Sequence, residues 1–214
     1  YRLTAGGTET ILYNFSASVA NSVATPLQVT DGNLYGTTYG GGTKGYGTVY
    51  KLITGLGPFV ETQPTSGKVG ASVKILGTNL TGATSLSFNG TPATFTVVSS
   101  SEITTTVPAG ATTGTVQVAT PGGTLTSNIV FQVTPVITGF TPPSGRVGTQ
   151  VTINGVSLTQ TSKVTFGGVK ATAFTVNSDT QVTATVPKGA RTGRIAITTP
   201  GGTATSATSF TVTP

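Results

Sequence analysis

Along much of the chain every second residue is apolar. Between residues 72 and 133 the pairs are Val73 and Ile75, Leu86 and Phe88, Phe95 and Val97, Ile103 and Val107, Val116 and Val118, and Phe131 and Val133. An even spacing puts the apolar residues on one face of an extended segment, so each run predicts a half-buried β-strand. Gly, Pro, Asn and Thr clusters separate the runs and supply the turns. No segment shows a convincing 3.6-residue period. The pattern predicts an all-β chain with almost no helix, and six short strands in this space predict a small β-sandwich.

The pattern occurs twice. Residues 69–90, VGASVKILGTNLTGATSLSFNG, align with 147–168, VGTQVTINGVSLTQTSKVTFGG, at an offset of 147 − 69 = 78. One extra residue enters near Ala171, and Phe95 then matches Phe174 at an offset of 174 − 95 = 79. Pro108 matches Pro187, TPGGT at 120–124 matches TPGGT at 199–203, and Pro135 matches Pro214. The division expected from this duplication is a segment 1–54, a first sandwich 55–135 and a second sandwich 136–214.

Two motifs give the duplicated part a resemblance. PTSGKVGASVKILGTNL at 64–80 and PPSGRVGTQVTINGVSL at 142–158 share P-x-S-G-x-V-G-x-x-V-x-I-x-G-x-x-L. V-P-x-G-A-x-x-G follows at 107–114 and 186–193, and then T-P-G-G. This resembles the IPT/TIG family of immunoglobulin-like domains. The resemblance implies two tandem β-sandwiches, and in bacteria it implies spacers or interaction modules of secreted and surface proteins. Related domains of animal transcription factors touch DNA through loops, a role that the scattered basic residues here do little to support.

Residues 1–54 read differently. YRLT at 1–4 matches YKLI at 50–53, so the segment spans about one repeat unit. DGNLYGTT at 31–38 and GTVYKL at 47–52 resemble the bacterial tandem repeat family called GloVer, with Tyr50 where Phe is common. That family implies blade-like β repeats in series. A single repeat of this kind cannot bury its apolar face alone, and a small sheet leaves hydrogen-bonding edges open. The expected cover is the first sandwich, further repeats or another subunit. A strand such as TETILYNFS at 8–16 could add to a neighbour's sheet. Head-to-tail repetition of that contact without closure would build a filament. The candidate self-assembly residues are Tyr1, Leu3, Ile11, Tyr13, Phe15, Leu34, Tyr35, Tyr39, Tyr46 and Tyr50.

Composition narrows the chemistry. Charged residues make up 7% of the 214, with 11 Lys and Arg against 5 Asp and Glu, a net charge of +6. A globular chain usually holds about 25%, so Thr, Ser and Gly take over the surface and little charge keeps copies apart. Cys, His, Met and Trp are absent. Packing alone must then hold the fold, and there is no His or Cys for zinc. A chain that begins at Tyr1 without Met reads as a mature secreted product whose leader is gone, expected outside the cell or on its surface. No apolar run reaches the roughly 20 residues of a membrane span.

Glycine-rich TYGGGTKGYG at 38–47 fails as a P-loop, because Lys44 is followed by Gly45 and then by a strand-like run rather than a helix. The spaced tyrosines are better read as packing and cross-strand pairs, with sugar contact as the alternative. Only Lys188, Arg191 and Arg194 gather among the basic residues, too few for a nucleic-acid stripe. Glycoside hydrolysis needs two carboxylates facing one site. Glu102 and Asp179 fall at near-equivalent places in different repeats, and Asp31 is a turn former. Lys74, between Val73 and Ile75, points outward and does not suit an internal isopeptide bond. No clustered oxygens with calcium spacing occur. Asn14, Asn79 and Asn89 lie in Asn-x-Ser/Thr motifs and are candidate glycosylation sites.

These observations lead to the expectation of a secreted, non-catalytic protein without cofactor or metal. Its expected partner is another copy of itself, joined through the N-terminal segment into an extracellular fibre. The alternatives are a carbohydrate-binding or adhesive surface module and an accessory region of a larger secreted enzyme.

Overall fold

The computed structural model describes residues 2–3, 6–11, 13 and 25–214, and among these there is no helix. The chain forms two compact units, Tyr1–Phe59 and Val60–Pro214.

The first unit is built on a three-stranded antiparallel sheet. Leu34–Thr38 lies in the middle, between Leu27–Gln28 and Thr48–Leu52. Register pairs Leu34 with Leu52, Gly36 with Tyr50 and Thr38 with Thr48. The glycine at 36 has a steric reason: a Cβ there would run into the Tyr50 ring. An aromatic side chain thus covers a bare stretch of the neighbouring strand. The chain after the sheet stays with it. Thr54 Oγ1 donates to the Gly32 carbonyl at 2.6 Å, and the Phe59 amide donates to the Thr30 carbonyl at 2.9 Å. Of the strand expected over 8–16, Glu9–Thr10 is paired, with Arg2–Leu3 as its partner.

The second unit holds two sandwiches. In the first, one sheet runs in the order Phe95–Val97, Glu102–Thr106, Ser72–Leu76, Glu61–Gln63. The facing sheet runs Thr91–Pro92, Ser85–Phe88, Val116–Thr120, Gly123–Thr126. In the second sandwich, Val136–Thr141, Gln150–Val156, Gln181–Thr185 and Phe174–Ser178 form one sheet. The other contains Lys163–Phe166, Gly193–Thr199 and the long closing strand Gly202–Val212.

The alternating pattern fills both cores. Val73, Ile75, Leu86, Phe88, Ile103, Val116, Val118 and Phe131 are buried in the first, and the matching Val151, Ile153, Val164, Phe166, Val182, Ile195, Ile197 and Phe210 in the second. Val97 departs from the expectation and stays exposed, because its strand lies at the sheet edge. Phe88 meets Phe131 edge-on at 5.0 Å between centroids, and Phe166 meets Phe210 the same way at 5.3 Å. Such a pair contributes about 0.5–1.5 kcal/mol beyond its buried area.

A buried serine closes each sandwich in the same manner. Ser127 Oγ accepts from the Val116 amide at 3.0 Å and donates to the Ile129 carbonyl at 2.7 Å. Ser206 Oγ does the same with Ile195 and Thr208, at 3.0 and 2.7 Å. The signal was present in the sequence as a serine at the same place in both copies, without the alternation that marks a strand.

The two sandwiches are joined tip to end. The Gln160 side chain, in the turn after Gln150–Val156, grips one residue of the first sandwich. Its Oε1 accepts from the Thr113 amide at 2.7 Å, and its Nε2 donates to the Thr113 carbonyl at 3.1 Å. Beside it, buried Gly201 lies so close to Val133 that a Cβ would strike the Val133 carbonyl, with Thr113 Oγ1 at 2.8 Å. Gly201→Ala should therefore force the two sandwiches apart, at a cost of about 1–3 kcal/mol. NMR relaxation should show the sandwiches tumbling more independently in the variant, and unchanged relaxation together with unchanged denaturant stability would refute the contact.

Candidate functional site

Two surfaces merit attention, one in each unit. In the first unit the sequence-predicted tyrosines divide by sheet face. Tyr50 and Leu34 are half-buried on the face that covers Gly36. Tyr35 lies on the other face and takes part in a polar cluster. Asp31 caps the turn by accepting from the Asn33 amide at 2.9 Å, and its second oxygen accepts from the Tyr35 hydroxyl at 2.8 Å and from Lys51 Nζ at 3.0 Å. Lys51 Nζ also sits 5.5 Å from the centre of the Tyr35 ring. The hydrogen bonds from Asn33, followed by those from Tyr35 and Lys51, hold the Asp31 carboxyl well below the usual carboxylate range. The Tyr35 hydroxyl and Asp31 push the Lys51 ammonium up. Asp31 is the turn former the sequence suggested, and it also ties the turn to both neighbouring strands.

Elsewhere on this unit apolar groups face solvent. Leu27, Tyr39, Val49, Ile53 and Tyr46 are between 70% and 91% exposed. Ile11 and Tyr13 are exposed as well. Leu3 lies in the two-residue strand paired with Glu9–Thr10. Tyr1, Asn14 and Phe15 lie outside the described residues.

The second surface is a groove of about 870 Å³ on the first sandwich, over the sheet that starts at Glu61–Gln63. Antiparallel register places Gln63, Lys74, Thr104 and Thr96 in one transverse row, one residue per strand. Alternation turns these side chains outward while Val73, Ile75 and Ile103 point into the core. Thr94, Phe95 and Pro64 line the same groove. Thr105 Oγ1, buried beneath it, donates to the Thr94 carbonyl at 2.7 Å and fixes the wall. Lys74 Nζ pairs with Glu102 at 3.1 Å while remaining half-exposed. The groove therefore offers an amide, an ammonium and hydroxyls beside an aromatic edge, in a depression wide enough for a small polar ligand.

Sequence reading placed Lys74 outward but did not find the groove. The row exists only through cross-strand register, which no local window contains. In the second sandwich the same register gives Thr141, Thr152, Thr183 and Thr175.

The carboxylates are tied into local structure rather than gathered. Asp179 accepts from Thr159 Oγ1 at 2.8 Å and from the Ser157 amide at 3.3 Å. Glu61 accepts from Asn128 at 3.4 Å. Asn79 and Asn89 are exposed, both with positive φ, which Asn tolerates better than most residues. The Asn89 amide donates to Thr112 Oγ1 at 2.9 Å and to the Thr113 carbonyl at 3.4 Å. No helix of the described residues is long and apolar enough to cross a membrane.

Two tandem sandwiches of seven or more short strands, with these motifs at their turns, define an immunoglobulin-like class. The IPT/TIG domain model matches residues 59–133 and 135–212, more than half of the sequence. The chain belongs to the IPT/TIG family. Among solved structures, it is similar to the surface glycan-binding protein PbSGBP-B from Prevotella bryantii, at 18% identity and a TM-score of 0.47, over 74% of this chain and 40% of that one. It is also similar to SGBP-B from a complex xyloglucan utilization locus in Bacteroides uniformis, at 25% identity and a TM-score of 0.34, over 71% of this chain and 48% of that one. A third similarity is to the extracellular region of Plexin A4, at 19% identity and a TM-score of 0.36, over 72% of this chain and 18% of that one. The chain thus spans less than half the length of each of these proteins. No curated protein sequence matches it.

The Asp31 cluster makes a prediction with a sign. Its carboxyl is depressed, so its contribution to the first unit is complete above the ordinary aspartate value of about 3.9 and fades as pH falls toward its own lower value. Carbon-13 NMR of the Asp31 carboxyl should show it still ionised at the pH where a free aspartate is half protonated. Titration at the ordinary value would mean that the Asn33, Tyr35 and Lys51 contacts do not form in solution.

Proposed function

We propose that this chain is a non-catalytic, secreted or cell-surface module that binds neutral polysaccharide through the groove on its first sandwich. The observation that carries this reading is the transverse row Gln63, Lys74, Thr104 and Thr96. Sugars present closely spaced hydroxyls and apolar ring faces. A row of amide, ammonium and hydroxyl groups matches the hydroxyls, and Pro64 at the groove wall, with the partly buried edge of Phe95, gives the apolar contact. The density of charge around the groove is low, which suits a neutral polymer. Neutral plant and bacterial polysaccharides should slow the full chain in affinity gel electrophoresis. Removing two hydrogen-bonding groups at about 1 kcal/mol each predicts that Gln63→Ala with Lys74→Ala weakens binding at least tenfold. Both side chains are outward, so melting should shift little. Retention that ignores the double substitution would sink the groove as the site.

A second reading, self-assembly into an extracellular fibre, is favoured by the first unit alone. Leu27, Val49, Ile53, Tyr39 and Tyr46 stay exposed. Thr48–Leu52 has a ladder partner on one side, Leu34–Thr38, among the described residues. A strand from a second copy would extend this sheet and cover Val49. An edge charge opposes such pairing. Negative-stain microscopy at high concentration should then show fibres from the full chain and dispersed particles from Val49→Lys. Dispersed particles from both would remove this reading.

A further inference from the structure

The two sandwiches are near-copies, so each end of one has a counterpart in the other; one counterpart is capped by the neighbouring sandwich, and the other has no such cap among the described residues. In the first sandwich the peptide groups of Thr113 are fully used. The Gln160 carboxamide takes both its amide and its carbonyl, and Asn89 adds a second donor to the carbonyl. Thr113 Oγ1 accepts from the Val133 amide at 3.0 Å. Thr192 occupies the same place in the second sandwich, and its Oγ1 accepts from the Val212 amide at 2.9 Å. There the likeness stops. Gly167 stands where the first sandwich has Asn89, and among the described residues no side chain caps the Thr192 peptide groups. Thr192 is exposed, whereas Thr113 is half-buried.

The rim of this site has also changed. Ala109, Thr112 and Thr115 of the first sandwich are replaced by Lys188, Arg191 and Arg194 in the second, all three exposed. Backbone contacts hold them at one end: Gly167 N donates to the Arg194 carbonyl at 3.1 Å, and Ala190 N donates to the Pro187 carbonyl at 3.1 Å, closing the turn that carries Lys188. Exposed Arg146 lies in the turn whose Gly148 amide donates to the Val186 carbonyl at 2.9 Å, beside that same turn. The one acidic side chain of this sandwich, Asp179, is at the opposite end, bonded to Ser157 and Thr159. None of the four basic side chains has an ion pair among the described residues.

We propose that this end of the second sandwich is a carboxylate-binding site, with an acidic polysaccharide bearing uronate groups as its ligand. The first sandwich demonstrates that this backbone geometry accepts a planar C=O group, since Gln160 Oε1 sits 2.7 Å from the Thr113 amide. A carboxylate offers the Thr192 amide the same acceptor; being acceptor-only, it leaves the Thr192 carbonyl to solvent or to a sugar hydroxyl, and it adds the negative charge that Lys188, Arg191, Arg194 and Arg146 would neutralise. Arginine forks fit carboxylates in a two-bond geometry. A sugar polymer fits better than a protein because the rim lacks the exposed aromatic anchors of protein interfaces: Val147 is the one large apolar side chain exposed in the second sandwich. A single-stranded nucleic acid would want stacking partners, and no tyrosine lies in this sandwich. The site is separate from the groove, so it stands or falls independently of the neutral-glycan reading.

The test uses the full chain with polygalacturonate, and with a single-stranded oligonucleotide of similar charge, at two salt concentrations. The informative variant is Lys188→Ala with Arg191→Thr and Arg194→Thr, which installs residues that the first sandwich already accommodates at these places. Polygalacturonate binding should fall at least tenfold in this variant and weaken in high salt, while Lys163→Thr, near the opposite end, should leave it within twofold. The Thr192 amide resonance should move when galacturonate oligomers are added. A loss from Lys163→Thr one third or more of the triple variant's on a logarithmic scale, in proportion to the one charge removed against three, would reduce the effect to net charge and overturn the site. So would an unmoved Thr192 amide, binding unaffected by the triple variant, or an oligonucleotide bound as tightly as the polyuronate.

Discussion

One side chain, Gln160, sets the organisation of the larger unit. A carboxamide has one acceptor and one donor side, and Gln160 spends them on the amide and carbonyl of the same residue, Thr113. Thr113 needs both partners, because its neighbours Gly114 and Phe131 already pair with each other across the closing strand. The contact is close enough that the adjoining position, Gly201, has no room for a Cβ against Val133. With only Thr134 and Pro135 between Gln132–Val133 and Val136–Thr141, a short connector and a two-pronged hydrogen bond restrict the same junction. The two sandwiches therefore have one end each committed to the other. The faces of their sheets and the Thr192 end of the second sandwich take no part in this junction.

The duplication separates what the fold requires from what it tolerates. Both copies keep the edge-on phenylalanine pairs, Phe88 with Phe131 and Phe166 with Phe210, and both keep a buried serine that bonds two backbone groups. These are interior features, and a close-packed core leaves little latitude. Outward rows follow no such constraint. Gln63, Lys74 and Thr104 in one copy face Thr141, Thr152 and Thr183 in the other, and Ala109, Thr112 and Thr115 become Lys188, Arg191 and Arg194. The interior also changes, but by exchanging one apolar residue for another, as Leu86 for Val164, Val116 for Ile195 and Leu125 for Ala204; at the surface the chemistry itself changes, and that is where different ligands would be read.

How much of this was legible in the sequence follows from the range over which each feature is encoded. Strand faces were, because alternation is local: Val73 and Ile75 are buried, and Lys74 between them points out. Duplication was legible because two long segments align. The groove was not, since Gln63, Lys74, Thr96 and Thr104 meet only through the register of four strands. Gln160 gave no signal either, being one polar residue in a polar turn whose partner lies 47 positions away. Of the segment 8–16, Glu9–Thr10 pairs with Arg2–Leu3, and residues 12 and 14–16 lie outside the described residues. Periodicity states which face a strand would bury, but it does not name the strand's partner.

Sparse charge makes the placement of each charged group consequential. In a chain with 7% charged residues, a carboxylate and a lysine that meet are removed from the surface's small stock. Asp31 with Lys51 and Glu102 with Lys74 use two acids and two bases in this way. Exposed pairs of this sort add little stability, about 0–1 kcal/mol, so their main consequence is electrostatic: they leave the first unit and the groove with little net field. The basic residues at the end of the second sandwich have no such compensation. A field from a few unpaired cations is felt over roughly 8 Å at physiological salt. The five remaining basic residues, Arg2, Lys44, Lys68, Lys163 and Lys170, stand singly along the sequence. An anionic polymer approaching this protein would therefore be oriented by one end of one domain, while a neutral polymer would be free to find the groove by shape and hydrogen bonding alone.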